Sequence, residues 1–225
     1  MGRIQKAYET RFRWLLQQVG ARRLNQGVAW FIGKAKRLSA QEEISPADAL
    51  TRVYEELALR PPYRNRVTAP APDCFFCDAG LGGLARWLRA AGYDALWEAG
   101  IDDDELLDRA RKLSATIITT DSVLMERRVL RDRIIRALWL PPTLSIAEQL
   151  SLVFREFHLD RRTPRCMQCG GELSGVDKES ARERIPPRTY LWLDEYFICS
   201  RCGQLFWHGT HWLRIQRQLE GIGTK

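Results

Sequence analysis

Only three histidines occur in the 225 residues, His158, His208 and His211, and no serine, histidine and acid arrangement for acyl transfer forms around them. Long apolar runs are missing too. In the first forty residues the longest is Val28-Ala-Trp-Phe-Ile32, far short of the roughly 20 residues that span a bilayer, or of a secretory core segment. The sequence therefore carries the expectation of a cytoplasmic protein with no membrane partner. There is no internal repeat and no low-complexity tract. Negative charge is nearly absent from residues 1–40, where Glu9 stands alone against nine Lys/Arg, while the other 185 residues sum to −1. That asymmetry suggests a basic arm for a polyanion on a body close to neutral. With 45% hydrophobic residues the chain can bury a real core, and its length suits one main domain with smaller attachments.

Within the arm, Tyr8, Phe12, Leu15, Leu16 and Val19 recur at helical spacing with Arg11, Arg13 and Arg22 between them, and Gly20 is the expected stop. RNA binding, docking on the body and membrane-surface binding are all compatible with such a helix; the plainer reading is an apolar stripe packed on the main domain with solvated arginines. A second helix is predicted from Ser45-Pro46-Ala47-Asp48, with Ser45 capping and Pro46 in the first turn, ending before Pro61-Pro62. A Pro/Ala linker, Ala69 to Pro72, follows.

Beyond it, short apolar strands alternate with helices, which argues an α/β fold with a mainly parallel sheet. Strands are predicted at Cys74–Cys77, Tyr93–Trp97, Ala115–Thr120 and around Ile134–Leu140. Helices are predicted at Leu84–Ala91, after Asp102, near Val123–Val129, and from a cap at Ser145 with Glu148. Ligands of such sheets collect beyond the carboxyl ends of the strands. There the sequence delivers Asp78 and Asp121, with Asp103, Asp104 and Glu105 opening a helix that can face the same edge. Converging carboxylates repel one another unless a divalent cation compensates, and hard oxygen ligands select Mg²⁺ or Mn²⁺. Arg86 and Arg89, on the helix after Asp78, are candidates to hold a phosphate. Taken singly, each of these residues also reads as a turn, a cap or a solvated face.

Four of the six cysteines form two knuckles, Cys166-Met-Gln-Cys169 and Cys199-Ser-Arg-Cys202. Four soft thiolates leave Zn²⁺ no open position, so this pattern predicts one structural zinc site, with redox pairs or disulfides as the alternative. Gly170 to Ile198 between them exceeds the usual spacing of roughly 15 to 20 residues, so a ribbon with an inserted excursion is expected. Cys74 and Cys77 read as buried strand thiols.

The run Asp78-x-x-Leu81-Gly82-x-Leu84-Ala85-Arg86-Trp87-Leu88-Arg89-x-x-Gly92-Tyr93-Asp94, then Asp103-Asp-Glu-Leu-Leu107, Thr119-Thr120-Asp121, Pro186-Pro187-Arg188, Asp194-Glu195 and Trp207-His-Gly-Thr-His-Trp212 with the knuckles, resembles a known family. These are the PIN-like ribonucleases named after the carboxy-terminal domain of the Mut-seven exonuclease, and the resemblance spans about Phe75 to Trp212. It implies a PIN-like nuclease core followed by a zinc ribbon and metal-dependent RNA hydrolysis, with Asp78, Asp104 and Asp121 on the family's acidic positions and Arg86 and Arg89 on its basic ones. Asp103 and Glu105 are the candidates for a further acid. Thr120 stands where members often carry Arg, and residues 1–66 read as basic helices where relatives often carry a strand-rich ubiquitin-like domain.

The expected organisation is a helical extension (1–66), a PIN-like domain (67–160) and a zinc ribbon (161–225). The expected activity is RNA phosphodiester hydrolysis. Asp78, Asp104 and Asp121 would hold Mg²⁺ or Mn²⁺; Cys166, Cys169, Cys199 and Cys202 would hold one zinc. Arg86 would act in catalysis by holding a non-bridging phosphate oxygen, and Arg89, Arg11, Arg13, Arg22, Arg23 and Arg188 would contact single-stranded or structured RNA such as tRNA or rRNA. Two rivals stand beside this reading: a non-catalytic RNA- or ribosome-binding zinc-ribbon protein, and a toxin-like nuclease regulated by a protein partner docked on the arm.

Overall fold

The computed structural model describes residues 2–58 and 70–222. The expected 66/67 boundary, the Pro61-Pro62 helix stop and the start of the Pro/Ala linker lie outside the described residues. At the centre is a sheet of four parallel strands, β1 (Cys74–Cys77), β2 (Asp94–Trp97), β3 (Thr116–Thr119) and β4 (Ala137–Trp139), in the order β2-β1-β3-β4. Aromatic and β-branched side chains fill the two central strands, Phe75-Phe76 in β1 and Thr116-Ile-Ile-Thr119 in β3, and suit a pleated surface buried on both faces. Alternation divides them. Phe76, Ile117 and Trp139 join one core cluster, while Phe75, Cys77 and Ile118 join another.

The second face is covered by α4 (Gly82–Ala90) and α7 (Ile146–Phe157). On the first lie α5 (Asp103–Lys112), the short α6 (Arg128–Arg131) and the N-terminal helices α1 (Gly2–Gln18), α2 (Leu24–Glu42) and α3 (Pro46–Ala58). The Ser45 cap is present, with the Asp48 N–H donating to Ser45 Oγ at 3.1 Å. The sequence reading had no counterpart for α2, which packs through Val28, Phe31 and Ala35. Its contact with α1 is close: a Cβ added at Gly27 would lie 2.6 Å from Leu16 Cδ1.

Of the readings open for the arm, the structure selects packing on the body. Tyr8 and Phe12 are fully buried, and the Tyr8 ring meets Trp139 of β4 edge-on at 5.4 Å. The Tyr8 hydroxyl pairs with Thr51 Oγ1 at 2.6 Å, and Thr51 in turn with Thr143 Oγ1 at 2.5 Å. Among the described residues no helix is long and apolar enough to cross a membrane.

After α7 the chain forms a three-stranded antiparallel sheet, β5 (Leu173–Val176), β6 (Tyr196–Cys199) and β7 (Leu205–Trp207), with the expected excursion carrying a short helix α8 (Pro187–Trp192). The last helix, α9 (Thr210–Glu220), returns Ile215 and Leu219 to the second core cluster. The ribbon is thus fastened to the body. The Arg162 N–H donates to Ala91 O at 3.0 Å, and the Tyr93 hydroxyl to Asp160 O at 2.7 Å.

Candidate active site and cysteine cluster

With strand order β2-β1-β3-β4, the chain leaves β1 toward one side and returns through β3 on the other, so a crevice opens beyond the carboxyl ends of β1 and β3. Asp78 and Asp121 stand there. The Asp78 N–H continues the ladder to Ile118 O at 2.9 Å, and its carboxylate accepts from the Ala79 N–H at 2.7 Å and from the Thr119 hydroxyl at 2.6 Å. Thr119 Oγ1 also accepts from the Asp121 N–H at 2.9 Å. One fully buried threonine therefore links the Asp78 carboxylate to the backbone that carries Asp121. It was not singled out in the sequence, although a polar residue ending a buried strand two positions before an acid is a readable signal. Two indoles brace the loops around it: Trp139 Nε1 donates to Thr120 O at 3.0 Å and Trp97 Nε1 to Ala79 O at 2.8 Å. Gly82 is required beside the second, because a Cβ there would lie 2.6 Å from the Trp97 ring.

The α5 N-terminus, capped by Asp102 Oδ1 accepting from the Glu105 N–H at 2.9 Å, brings its first acid rather than its second toward this crevice. Asp103 is half-buried. Burial pushes its carboxyl above the usual aspartate range, the negative charges of Asp121 and Asp78 add to the effect, and Arg127 opposes it. Asp104 instead has a 79% exposed side chain ion-paired with Arg127, and Glu105 pairs with Arg109 at 3.2 Å. Helical phase accounts for this: Asp103 shares a face with the buried Leu106, Leu107 and Ala110, whereas Asp104 is in phase with the exposed Asp108 and Arg111. The carboxylates do not close to the mutual spacing of a finished metal centre; Asp78 and Asp121 each hold a neighbouring backbone N–H. The donor set of hard oxygens fits Mg²⁺ or Mn²⁺, and the raised Asp103 carboxyl reflects its burial and the neighbouring charges of Asp121 and Asp78.

Of the basic residues, Arg86 is exposed on α4 and makes no ion pair among the described residues. Arg13, Arg22, Arg23 and Arg188 are exposed as well. Two expectations need correction. Arg89 is only 4% exposed, donating from Nε to Ala95 O at 2.7 Å and from Nη1 to Met167 O and Gln168 O at 3.1 and 2.9 Å, so its fork is consumed in fastening the first knuckle to β2. Arg11 is 3% exposed and lies between Trp14 and Trp139, 4.6 and 5.4 Å from their ring centroids. Neither faces solvent, where a phosphate would be met.

Cys166, Cys169, Cys199 and Cys202 bring four Sγ atoms within 4.8 Å of one another, the only such group of Cys, His, Asp or Glu among the described residues. Cys166 to Cys202 is 3.6 Å and Cys169 to Cys199 is 3.4 Å, close to the ~3.8 Å edge of a tetrahedron with metal–sulfur bonds of about 2.3 Å. The set fits zinc. Burial works against ionising Cys199, yet N–H groups of Cys202 and Arg201 at 3.5 and 3.4 Å, with neighbouring thiols, bring it down to about 6. Cys74 and Cys77 stay outside the cluster, pushed up by burial to about 11 and about 12.

No curated protein and no solved structure matches the chain. A family model described as the Mut7-C RNAse domain matches residues 73–219, from the residue before β1 to the last turn of α9. That span takes in both the acidic crevice and the cysteine cluster, and the chain belongs to the Mut7-C RNAse domain family.

Proposed function

We propose that the protein hydrolyses RNA phosphodiester bonds in a Mg²⁺- or Mn²⁺-dependent reaction at the β1/β3 crevice, and that the cysteine cluster holds one structural zinc per chain. The observation that carries the first part is the junction at Thr119, which ties the Asp78 carboxylate at the end of β1 to the backbone of Asp121 at the end of the adjacent β3. Asp78, Asp121 and Asp103 would hold the divalent ion, Asp103 taking the part first assigned to Asp104. When bound, that ion supplies a Lewis acid that lowers the pKa of water and stabilises a leaving oxygen. Thr119 orients the Asp78 carboxylate, and Arg86 holds a non-bridging phosphate oxygen.

The test is cleavage of short single-stranded RNA with and without Mn²⁺. Asp78→Asn and Asp121→Asn are expected to lose at least a hundredfold in rate, Asp103→Asn nearly as much, and Asp104→Asn little. Metal-independent cleavage, or full activity in Asp78→Asn, removes the proposal. A second reading, a non-catalytic RNA-binding protein on the same fold, is favoured by the separation of the carboxylates. It predicts binding without cleavage in that assay.

A further inference from the structure

Between the ribbon and the body lies a groove of about 760 Å³, lined by Arg86 of α4, Arg165 of the connecting segment, Phe197 of β6, and Trp207, His208 and Trp212 where β7 turns into α9. The volume is that of a small-ligand site. Its chemistry is unusual. Phe197, His208 and Trp212 make a short aromatic ladder, with centroids 4.9 Å apart at the first step and 5.7 Å apart at 18° at the second. The indole N–H of Trp212 is itself buried, so the groove meets this residue through its ring.

Charge narrows the occupant further. The lining holds two arginines and no acid, and a neighbouring carboxylate, Glu195, is engaged with His208 Nδ1 at 3.3 Å. Arg165 is already engaged, donating from Nε to Gly170 O at 2.7 Å, but Arg86 makes no ion pair among the described residues. A flat aromatic ligand with a negative charge beside it suits both the ladder and Arg86, and a nucleotide has that combination. A purely apolar peptide would leave Arg86 unanswered. Placement agrees, because α4 carries Arg86 about one turn from its start at Gly82, and the 3₁₀ turn leading into α4 begins at Asp78.

We propose that this groove is a nucleobase-stacking subsite for an RNA strand. A base packs against the Phe197–His208–Trp212 ladder, and the adjoining phosphate lies on Arg86 between groove and crevice. The choice of RNA rests on the ribonuclease reading above; the aromatic and cationic lining does not.

The test uses the full chain with its zinc and two labelled octamers on an uncleavable 2′-O-methyl ribose backbone, one with bases and one abasic, read by fluorescence anisotropy. Stacking of one base supports a difference of about tenfold or more. The wild type is expected to bind the complete octamer at least tenfold more tightly than the abasic one. His208→Ala should erase most of that difference while leaving the abasic affinity alone. Trp212→Ala removes the last ring of the ladder, and should weaken the complete octamer several-fold with zinc content unchanged. Equal binding of the two octamers by the wild type overturns the proposal, as does an unaltered preference in a zinc-replete His208→Ala protein. The wild-type comparison decides the matter even if a variant fails to fold. Cleavage of an unmodified octamer in Mn²⁺ separates the two readings: base-dependent binding without cleavage keeps the groove and removes the catalysis, and cleavage with base-independent binding does the reverse.

Discussion

A single hydroxyl carries much of the site. Thr119 donates to Asp78 and accepts from the Asp121 N–H while fully buried, so Thr119→Val keeps the shape but leaves one of each group unpaired. The expected cost is roughly 1–3 kcal/mol of stability, read as a lowered denaturation midpoint, together with a loss of activity that Thr119→Ser restores. Asp103 gives the opposite sign. Its carboxyl is raised by burial and by Asp121 and Asp78, so the folded protein binds that proton more tightly than the unfolded chain. Stability is therefore favoured below the usual aspartate range and is lost as pH climbs through the window up to the raised value. Asp103→Asn should raise Tm by a few degrees at neutral pH, with the gain shrinking toward zero in acid. Mn²⁺ should stabilise the wild type more than this variant. An equal Tm at pH 7 would show that Asp103 does not feel the other acids. That Asp103, and not Asp104, turns toward the crevice was legible in the helical phase of Leu106, Leu107 and Ala110.

Among the elements, α4 serves both halves of the molecule. Its start follows Asp78, and near its end the buried Arg89 reaches across to Ala95 in β2 and to the knuckle carbonyls of Met167 and Gln168. Arg89→Met would strand three carbonyls that accept from a charged donor, at a cost of about 3 kcal/mol or more. Faster amide exchange in residues 163–171, with zinc retained, is the expected signature. Arg89→Lys should not rescue it, because one ammonium cannot reproduce the planar fork. From the sequence this arginine was read as a phosphate ligand; its partners lie 78 and 79 residues away in the chain, and no local pattern announces them. The missed α2 has a related cause: its stripe of Val28, Phe31 and Ala35 is narrow and interrupted by Gly27 and Gly33, and it becomes intelligible only against α1.

At the scale of the whole molecule, the basic arm is a layer of the core. Removing residues 1–40 takes away Tyr8, Phe12, Leu15, Val28 and Phe31 and uncovers Trp139, so the truncated protein is expected to aggregate or melt far below the full chain in a thermal scan. A soluble truncation of unchanged Tm would return the arm to the status of an appendage. The ribbon differs, since its own small cluster of Ala181, Ile185, Tyr196 and Leu205 is modest and the four thiolates must add to it. Elemental analysis should find one zinc per chain, Cys199→Ser should lose it, and Cys74→Ser should keep it. Any salt dependence of RNA binding should reflect Arg13, Arg22, Arg23 and Arg188, which are exposed, and be insensitive to Arg11.

What the sequence determined by itself is what depends on near neighbours: the parallel-strand grammar, the Ser45 and Ser145 caps, the two knuckles and the acids at strand ends. Each follows from spacing, propensity or ligand chemistry acting within a few residues. Tertiary structure decided the rest. Strand order alone brings Asp78 beside Thr119, 41 residues on, and the packing of α1 under Trp139 turns Arg11 from a surface cation into a buried one. The docking of the ribbon on α4 likewise gave Arg89 to the fold and left Arg86 to the groove. Burial and long-range pairing are properties of the assembled layers, and a side chain's chemistry is available to a ligand only where those layers leave it uncovered.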